Sequence, residues 1–287
     1  MAVVLDKTAK VLAVAATGDY GSNQIRFMQA AGTHVVGAVV LGRGGETMLD
    51  LPVFDTVMEA VQATGANAAI IYAPALGVRS AVVECADAGL RLAVAAAEFV
   101  PTHDALYAAA HARERGMVLV GPNTMGMATP GQAMLGAVTP SFTKPGRVGM
   151  IGRSGTLMLV IARLLSQSGI GQSTLVHVGG DTIAGSNPDE WLTRFDADAD
   201  TSAVIFLGEI GGAKEFALAE RISASKKPVA AMIVGRHAPA EKRMGHAGAL
   251  IGSDRETAAA KQAALKEAGA IICNSPAAVV EFAMAYQ

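Results

Sequence analysis

The sequence predicts an α/β protein made of two doubly wound domains in tandem. Three observations carry this. Short runs rich in Val, Ile and Ala alternate with stretches of helical apolar spacing, several helical stretches stop at a glycine, and the alternation breaks once before restarting. Near-continuous apolar strands joined by helices belong to parallel sheets covered on both faces. Composition agrees: 51% of the 287 residues are hydrophobic, only 5% are aromatic, and there are 32 glycines. Such a chain buries a large core, which excludes global disorder.

In the first domain, 10–16 reads as a buried strand and 22–31 as a helix stopped by Gly32. A second strand follows at 34–40, then a helix at 55–64 ending at Gly65 and a third strand at 67–72. The helix at 78–88 stops at Gly89, the strand 91–95 and helix 104–115 follow, and 117–120 is the fifth strand. Between Thr129 and Gly149 the periodicity fails, with Pro130, Gly131, Pro140, Pro145 and Gly146 punctuating the stretch. The expected organisation is therefore a domain at 1–129, a linker at 130–148 and a domain at 149–287. In the second domain, strands are expected at 147–151, 172–178, 203–207, 228–234 and 270–273, with helices at 156–168, 188–195, 213–225, 254–268 and 276–285.

A net charge of −2 argues against a broad basic face for nucleic acid. Cys85 and Cys273 lie far apart in apolar patterns, which suits buried thiols in a reducing compartment and gives neither a disulfide framework nor a metal cluster. No run approaches the roughly 18 apolar residues of a membrane span. The start resembles no signal or transit peptide, so the expectation is a cytoplasmic protein.

Ligands of doubly wound sheets bind at the carboxyl ends of the strands, so motifs there carry the most information. The first strand ends in Ala15-Ala16-Thr17-Gly18-Asp19-Tyr20-Gly21 and opens a helix. A glycine turn of this kind aims backbone N–H groups and the helix dipole at a phosphate. The dinucleotide fingerprint Gly-x-Gly-x-x-Gly is incomplete, because Ala16 takes the first position and leaves Gly18-x-x-Gly21. After the second strand the chain reads Leu41-Gly42-Arg43-Gly44-Gly45, offering an arginine instead of the ribose-binding carboxylate. Both features suit a phosphorylated nucleotide other than NAD. Tyr72-Ala73-Pro74, Ala97-Glu98 and Gly121-Pro122-Asn123 follow the next three strands and line the same edge.

In the second domain, Gly152-Arg153-Ser154-Gly155-Thr156 is again strand, turn and helix. A nucleophile elbow needs glycine where Thr156 stands. Without a clear His/Asp order to follow, a serine hydrolase loses to a phosphate site at Ser154, Gly155 and Thr156. The connection after Val234 is long and holds Lys242-Arg243-Met244-Gly245-His246-Ala247-Gly248-Ala249. Long connections inside compact domains are usually functional. A glycine-flanked histidine is open enough to be a nucleophile or a mobile carrier. Glu209, in Gly208-Glu209-Ile210-Gly211-Gly212 at another strand end, could hold one imidazole nitrogen and free the other. The remaining histidines (His34, His103, His111, His177 and His237) are assigned to structure or surface.

These motifs together resemble the α subunit of succinyl-CoA synthetase, over essentially the whole chain from Leu5-Asp6-Lys7 to the last helix. The resemblance rests on 121–123, 153–157, 179–181, 185–187, 208–212 and 243–249. It implies a Rossmann-like CoA-binding domain followed by a flavodoxin-like domain. It also implies a histidine, His246, that takes phosphate from ATP or GTP and passes it to a carboxylic acid, with Glu209 orienting the ring. CoA then displaces phosphate from the acyl phosphate. By the same resemblance CoA touches Thr17, Gly18, Tyr20, Gly21 and Arg43, and also Tyr72, Pro74, Glu98 and Asn123. The nucleotide and Mg2+ would be bound mainly by an ATP-grasp-type β subunit, in an αβ or α2β2 assembly. This chain contains no Gly-x-x-x-x-Gly-Lys-Ser/Thr loop of its own.

The chain departs from the family pattern in three places. Thr124-Met125 stand where Cys-Pro is common, Arg43 lies in a loop where lysine is common, and Thr143 replaces a histidine before Lys144. The first departure lies near the expected thioester end of CoA and leaves the acid open among succinate, malate, another dicarboxylate and a substituted succinate. Two alternatives remain: a non-catalytic CoA-binding regulatory relative, against which the intact His246 and Glu209 argue, and a nicotinamide-dependent oxidoreductase, against which Ala16 and Arg43 argue.

Overall fold

The computed structural model describes residues 4–239 and 242–287. The chain forms two compact units, one of Val4–Val138 with Ile183–Ser186, the other of Thr139–Thr182 with Asn187–Gln287.

The first unit begins β1 (Lys10–Val14), α1 (Gly18–Ala30), β2 (His34–Val39), β3 (Thr47–Met48), β4 (Leu51–Phe54) and α2 (Val57–Thr64). It continues β5 (Ala68–Ile71), α3 (Val78–Asp87), β6 (Leu92–Ala95), α4 (Thr102–Glu114), β7 (Val118–Val120), β8 (Gly126–Thr129) and β9 (Ala133–Gly136). The sheet order is β3-β4-β2-β1-β5-β6-β7. All its pairings are parallel except β3 with β4. The chain winds outward from β1 in both directions, so the strand order reverses between β1 and β5, and a crevice belongs at their carboxyl ends. Strands β5 and β6 are buried at every position, which is why they read as continuous apolar runs. Helix α2 shows how local sequence sets a boundary: Thr56 and Glu59 form a reciprocal capping box, and Gly65 ends the helix in the left-handed region.

The second unit runs β10 (Pro145–Gly152), α5 (Gly155–Gln167), β11 (Gln172–His177), α6 (Pro188–Ala197), β12 (Ala203–Glu209) and α7 (Lys214–Ile222). It closes with β13 (Val229–Val234), α8 (Ala258–Glu267), β14 (Ile271–Ile272) and α9 (Pro276–Met284). Its five strands are parallel in the order β11-β10-β12-β13-β14. Counted within the unit this is 2-1-3-4-5, the flavodoxin-like order, whose switch point lies between β10 and β12. Trp191, Phe195 and Phe206 are fully buried in its core. A Cβ on Gly149 would stand 2.7 Å from the Phe195 ring, so α6 packs directly on β10 there.

Both sheets follow the alternation read from sequence, and the differences have local causes. Strands β3 and β4 were not expected. Their turn residues Leu49 and Asp50 have φ of 52° and 62°, so the hairpin closes without the Asn-Gly or Gly that normally marks such a turn. Within 130–148 the structure places β9 and the start of β10, and Pro130-Gly131 turns the antiparallel β8–β9 hairpin. Helix α1 begins at Gly18, four residues before the expected Ser22. The last connection holds a 3-10 turn at Asp254–Glu256, after which Thr257 caps α8 by accepting the Ala260 N–H. Both cysteines are free and buried, and burial pushes the Cys85 thiol well above its usual range, which suits an inert structural role. Among the described residues no helix is long and apolar enough to cross a membrane.

Candidate active site

In the first unit the candidate residues gather at the carboxyl ends of β1, β5, β6 and β7. Thr17 is the extended residue before α1, with no side-chain cap bond. Gly18 has φ of +66° and open space where a Cβ would be, so the backbone here can be approached closely. Gly21 packs its Cα directly on Ala16, bringing α1 onto the end of β1. Three non-glycine residues with left-handed φ cluster at these same strand ends: Ala15 (55°), Phe99 (60°) and Asn123 (54°). Such backbone strain concentrates at ligand sites.

Tyr20 and Tyr72 meet edge to face, with ring centroids 5.8 Å apart. Tyr20 is exposed, whereas the Tyr72 hydroxyl is buried and has no hydrogen-bond partner among the described residues. Burial and the neighbouring Tyr20 push the Tyr72 hydroxyl well above its ordinary pKa, so it stays a donor. An orphaned buried donor beside an open glycine turn fits a ligand with acceptor groups lying along this edge. Pro74 precedes a 3-10 turn, Glu98 is exposed, and Asn123 is buried with its N–H donating to the Ala97 carbonyl.

Arg43 is exposed and ion-paired with Glu46 at 2.6 Å, an arrangement that water screens and that leaves the guanidinium available for exchange. The loop carrying it is shaped by Asp55, whose carboxylate accepts the N–H groups of Gly42 (2.7 Å) and Gly44 (3.0 Å). Sequence reasoning missed Asp55. The cue was present, since a carboxylate just past an apolar run and a glycine-rich loop are natural partners.

In the second unit, Glu209 is the last residue of β12 and His246 lies on the connection after β13. Glu209 Oε2 and His246 Nδ1 are 2.9 Å apart. A carboxylate only accepts, so Nδ1 carries a proton, and in the neutral ring the lone pair then lies on Nε2. The glutamate is buried, while the imidazole is 29% exposed. The ring rests on the backbone of Gly180, where an added Cβ would come within 2.6 Å of its Cγ. The Gly248 N–H donates to the Gly180 carbonyl at 3.1 Å and ties the histidine segment to the same turn.

Beneath Glu209 lies a buried charge cluster. Arg153, one residue past β10, faces Glu209 Oε1 at 3.4 Å and donates to Glu215 Oε1 at 2.6 Å. Lys261 from α8 is fully buried; it donates to the Glu209 carbonyl (2.8 Å) and the Gly211 carbonyl (2.5 Å) and is ion-paired with Glu215 Oε2 at 2.6 Å. Two cations and two carboxylates fix the end of β12 from below, which sets the direction in which Glu209 presents its outer oxygen.

His177 ends β11 and donates from Nε2 to the Arg153 carbonyl at 3.0 Å. Burial, with a smaller contribution from nearby His246, lowers its pKa to about 4, so it is neutral at physiological pH. The sequence assigns it to structure or surface; it is buried and bonded to the backbone at the end of β11, and it lies near His246.

Ser154 accepts the Leu157 N–H at 3.4 Å as the cap of α5, and Gly155 and the exposed Thr156 form its first turn. They follow Arg153 directly. The structure therefore brings together His246, Glu209 and the start of α5 through Arg153. Sequence reasoning missed Arg153, Glu215 and Lys261 as a set, because their partnership spans three elements. Among the described residues no group of three or more His, Cys, Asp or Glu could hold a metal ion.

A nucleotide-type edge in one unit and a carboxylate-held histidine at a flavodoxin-like switch point in the other define an acid–CoA ligase subunit. Comparison with known proteins agrees. Residues 6–99 match the CoA-binding domain family and residues 151–271 the CoA-ligase family. The chain is 43% identical to subunit alpha 2 of the ADP-forming succinate–CoA ligase of Archaeoglobus fulgidus, over 98% of both chains. It is 41% identical to the corresponding alpha subunit of Aquifex aeolicus, over 98% of this chain and 93% of that one. It is 38% identical to the malate–CoA ligase alpha subunit of Methylorubrum extorquens, over 96% and 95%. The chain belongs to this family of succinate–CoA and malate–CoA ligase α subunits.

Among solved structures, ATP citrate lyase from Methanothrix soehngenii in complex with citrate and coenzyme A superposes with a TM-score of 0.88 at 24% identity, over 97% of this chain. This chain spans 49% of that one, and the likeness is one of fold.

Proposed function

We propose that this chain is the α subunit of a nucleotide-dependent acid–CoA ligase that carries phosphate on His246. The observation that supports it most is the 2.9 Å bond from His246 Nδ1 to Glu209, which assigns the role of nucleophile to Nε2. His246 Nε2 attacks the terminal phosphorus of ATP or GTP; the P–N bond forms as the P–O bond to the departing diphosphate breaks. Glu209 stabilises the charge that develops on the ring and holds its orientation. The partially exposed ring then presents its phosphate to a carboxylate of the acid. A carboxylate oxygen bonds to phosphorus, the P–N bond breaks, and neutral imidazole is regenerated with an acyl phosphate. The CoA sulfur adds to the acyl carbon, the C–O bond breaks, and phosphate leaves with the thiol proton. The acyl phosphate is needed because a free carboxylate is a poor electrophile toward a thiol.

CoA lies on the first domain along Thr17, Gly18, Tyr20, Gly21 and Arg43, with Tyr72 donating its unpartnered hydroxyl and Pro74, Glu98 and Asn123 lining the remaining strand ends. Ser154, Gly155 and Thr156 receive phosphate at the start of α5. The nucleotide and Mg2+ sit mainly on a β subunit of ATP-grasp type, in an αβ or α2β2 assembly, and the protein is cytoplasmic. A dicarboxylic acid is the substrate; the malate–CoA ligase relative at 38% identity makes malate a candidate alongside succinate. The test is CoA consumption by the α chain together with its β subunit, with succinate, malate and substituted succinates supplied in turn with ATP or GTP. Turnover with one acid identifies the substrate. CoA binding without turnover on any of them would favour a non-catalytic relative.

A further inference from the structure

We propose that Lys214 is the side chain of this α subunit that binds the phosphoryl group carried by His246, making charge-assisted contacts to its oxygens. This rests on the phosphohistidine reading above.

The argument begins with how the nearby cations are used. Lys261 and Arg153 are sealed from solvent, and Lys261 is engaged by two carbonyls and the ion pair with Glu215. Lys214, the first residue of α7, is placed differently. It is half-buried, and its ammonium donates to one protein acceptor, the Asp181 carbonyl at 2.9 Å. Among the described residues its other two N–H donors have no protein partner.

Its location ties it to the histidine. The Gly180–Asp181 turn offers two consecutive carbonyls. Gly180 O takes the N–H of Gly248, from the histidine segment, while Asp181 O takes Lys214. The imidazole of His246 lies on Gly180 itself. The two side chains are therefore fastened to adjacent residues of one turn.

Charge points the same way. The groups that face Lys214 are Arg153 from the end of β10, Asp181 from the turn after β11, Glu209 from β12 and Glu215 on α7. With Lys261 they make three cations and three carboxylates, a neutral set before any phosphate arrives. The dianion of a phosphohistidine then needs a reachable positive charge with donors to give. Lys214 meets both conditions, and as the first residue of α7 it adds its charge to the positive end of the helix dipole.

Burial, with Arg153, lowers the Lys214 pKa to about 8 against the opposing pull of the carboxylates. The ammonium form therefore prevails below pH 8 and is lost as pH rises through that value.

The experiment labels His246 in the assembled α and β subunits with inorganic phosphate and the acyl-CoA that supports turnover. It reads the phosphate concentration that gives half-maximal labelling from pH 6.5 to 9.5. Lys214→Met is expected to raise that concentration about tenfold at pH 7, the factor one charge-assisted hydrogen bond confers. The difference from wild type should close above pH 8, where the lysine is itself neutral. Lys214→Arg should label like wild type at pH 7 and keep that affinity at pH 9.5. Unchanged half-labelling in Lys214→Met at pH 7, or an alkaline loss in Lys214→Arg identical to wild type, overturns the proposal. If Lys214→Met does not fold, the arginine arm alone decides. Absence of any acid-labile phosphate in wild type would instead overturn the phosphohistidine reading, and this proposal with it.

Discussion

The two units do their work with opposite means. At the strand ends of the CoA-binding unit, the candidate side chains are mostly exposed or uncharged, Arg43 pairs only with its neighbour Glu46 in water, and the distinctive features are backbone ones: an open Gly18, left-handed Ala15 and Asn123, and one orphaned hydroxyl on Tyr72. In the histidine-bearing unit the site rests on a dry cluster of Arg153, Glu209, Glu215 and Lys261. A surface that must accept and release a long ligand gains from loosely held groups. The proposed carrier ring, phosphorylated repeatedly at one nitrogen, would gain from a rigid foundation. The difference predicts that substitutions in the second unit have large effects on rate or folding, and those in the first have small effects on affinity.

The largest effect is expected at the contact between the two carriers of chemistry. Glu209→Gln keeps the shape but lets an amide face Nδ1, so the tautomer is no longer enforced. Turnover of the assembled enzyme should fall about 10³-fold, within the range for a misoriented acid–base pair, while CoA affinity is unchanged. A comparable fall in CoA affinity would break the division between the units.

Next comes the foundation. Lys261→Met leaves the Glu215 carboxylate with one buried cation and takes one donor from each of two carbonyls, which keep only Arg153. Urea unfolding of the α chain should show a loss of about 3–5 kcal/mol, the cost of breaking a buried pair from one side. A loss below about 1 kcal/mol would mean that the end of β12 is held by other contacts.

His177 gives a pH signature of the same unit. Its folded pKa of about 4 lies below the unfolded value near 6.5, so between these limits the unfolded chain binds the extra proton. Stability is thus complete above about pH 6.5 and declines as pH falls toward 4, by about 3 kcal/mol in all. His177→Gln should flatten that part of the curve in urea titrations at pH 4.5 and 7. An unaltered slope would assign the acid sensitivity to other groups.

The smallest effect belongs to the first unit. Tyr72→Phe removes the buried hydroxyl without a partner. The free chain should gain about 1 kcal/mol of stability, while CoA binding weakens about tenfold. Calorimetry and thermal unfolding check the two signs together, and a variant weakened in both would contradict a ligand-directed hydroxyl.

How far the sequence carried the reading depended on distance along the chain. Features within one element were legible: the Gly18 turn, the glycine stops of the helices, the β-rich runs and the glycine-flanked His246. The pairing of His246 with Glu209 was also anticipated, because a carboxylate at a strand end and a histidine in a long connection each stand out alone. The β3–β4 hairpin was not legible, since Leu49 and Asp50 adopt left-handed φ without turn-type residues. Nor was the charge cluster. Arg153 lies in a motif read only for its Ser-Gly-Thr turn, and nothing in the local sequence of Glu215 and Lys261 separates them from surface charges. Only the strand order, with β10 beside both β11 and β12, brings them and His177 under one site.

The central claim is that phosphate is carried on Nε2 of His246. Its most direct test is intact mass spectrometry of the α chain after the assembled enzyme has been given ATP or GTP and Mg2+ without acid or CoA. The account predicts one added phosphate, lost in acid, stable in base, located to the peptide containing His246 and absent from His246→Asn. A phosphate that persists in His246→Asn, or no phosphate in an enzyme that turns over, would contradict it.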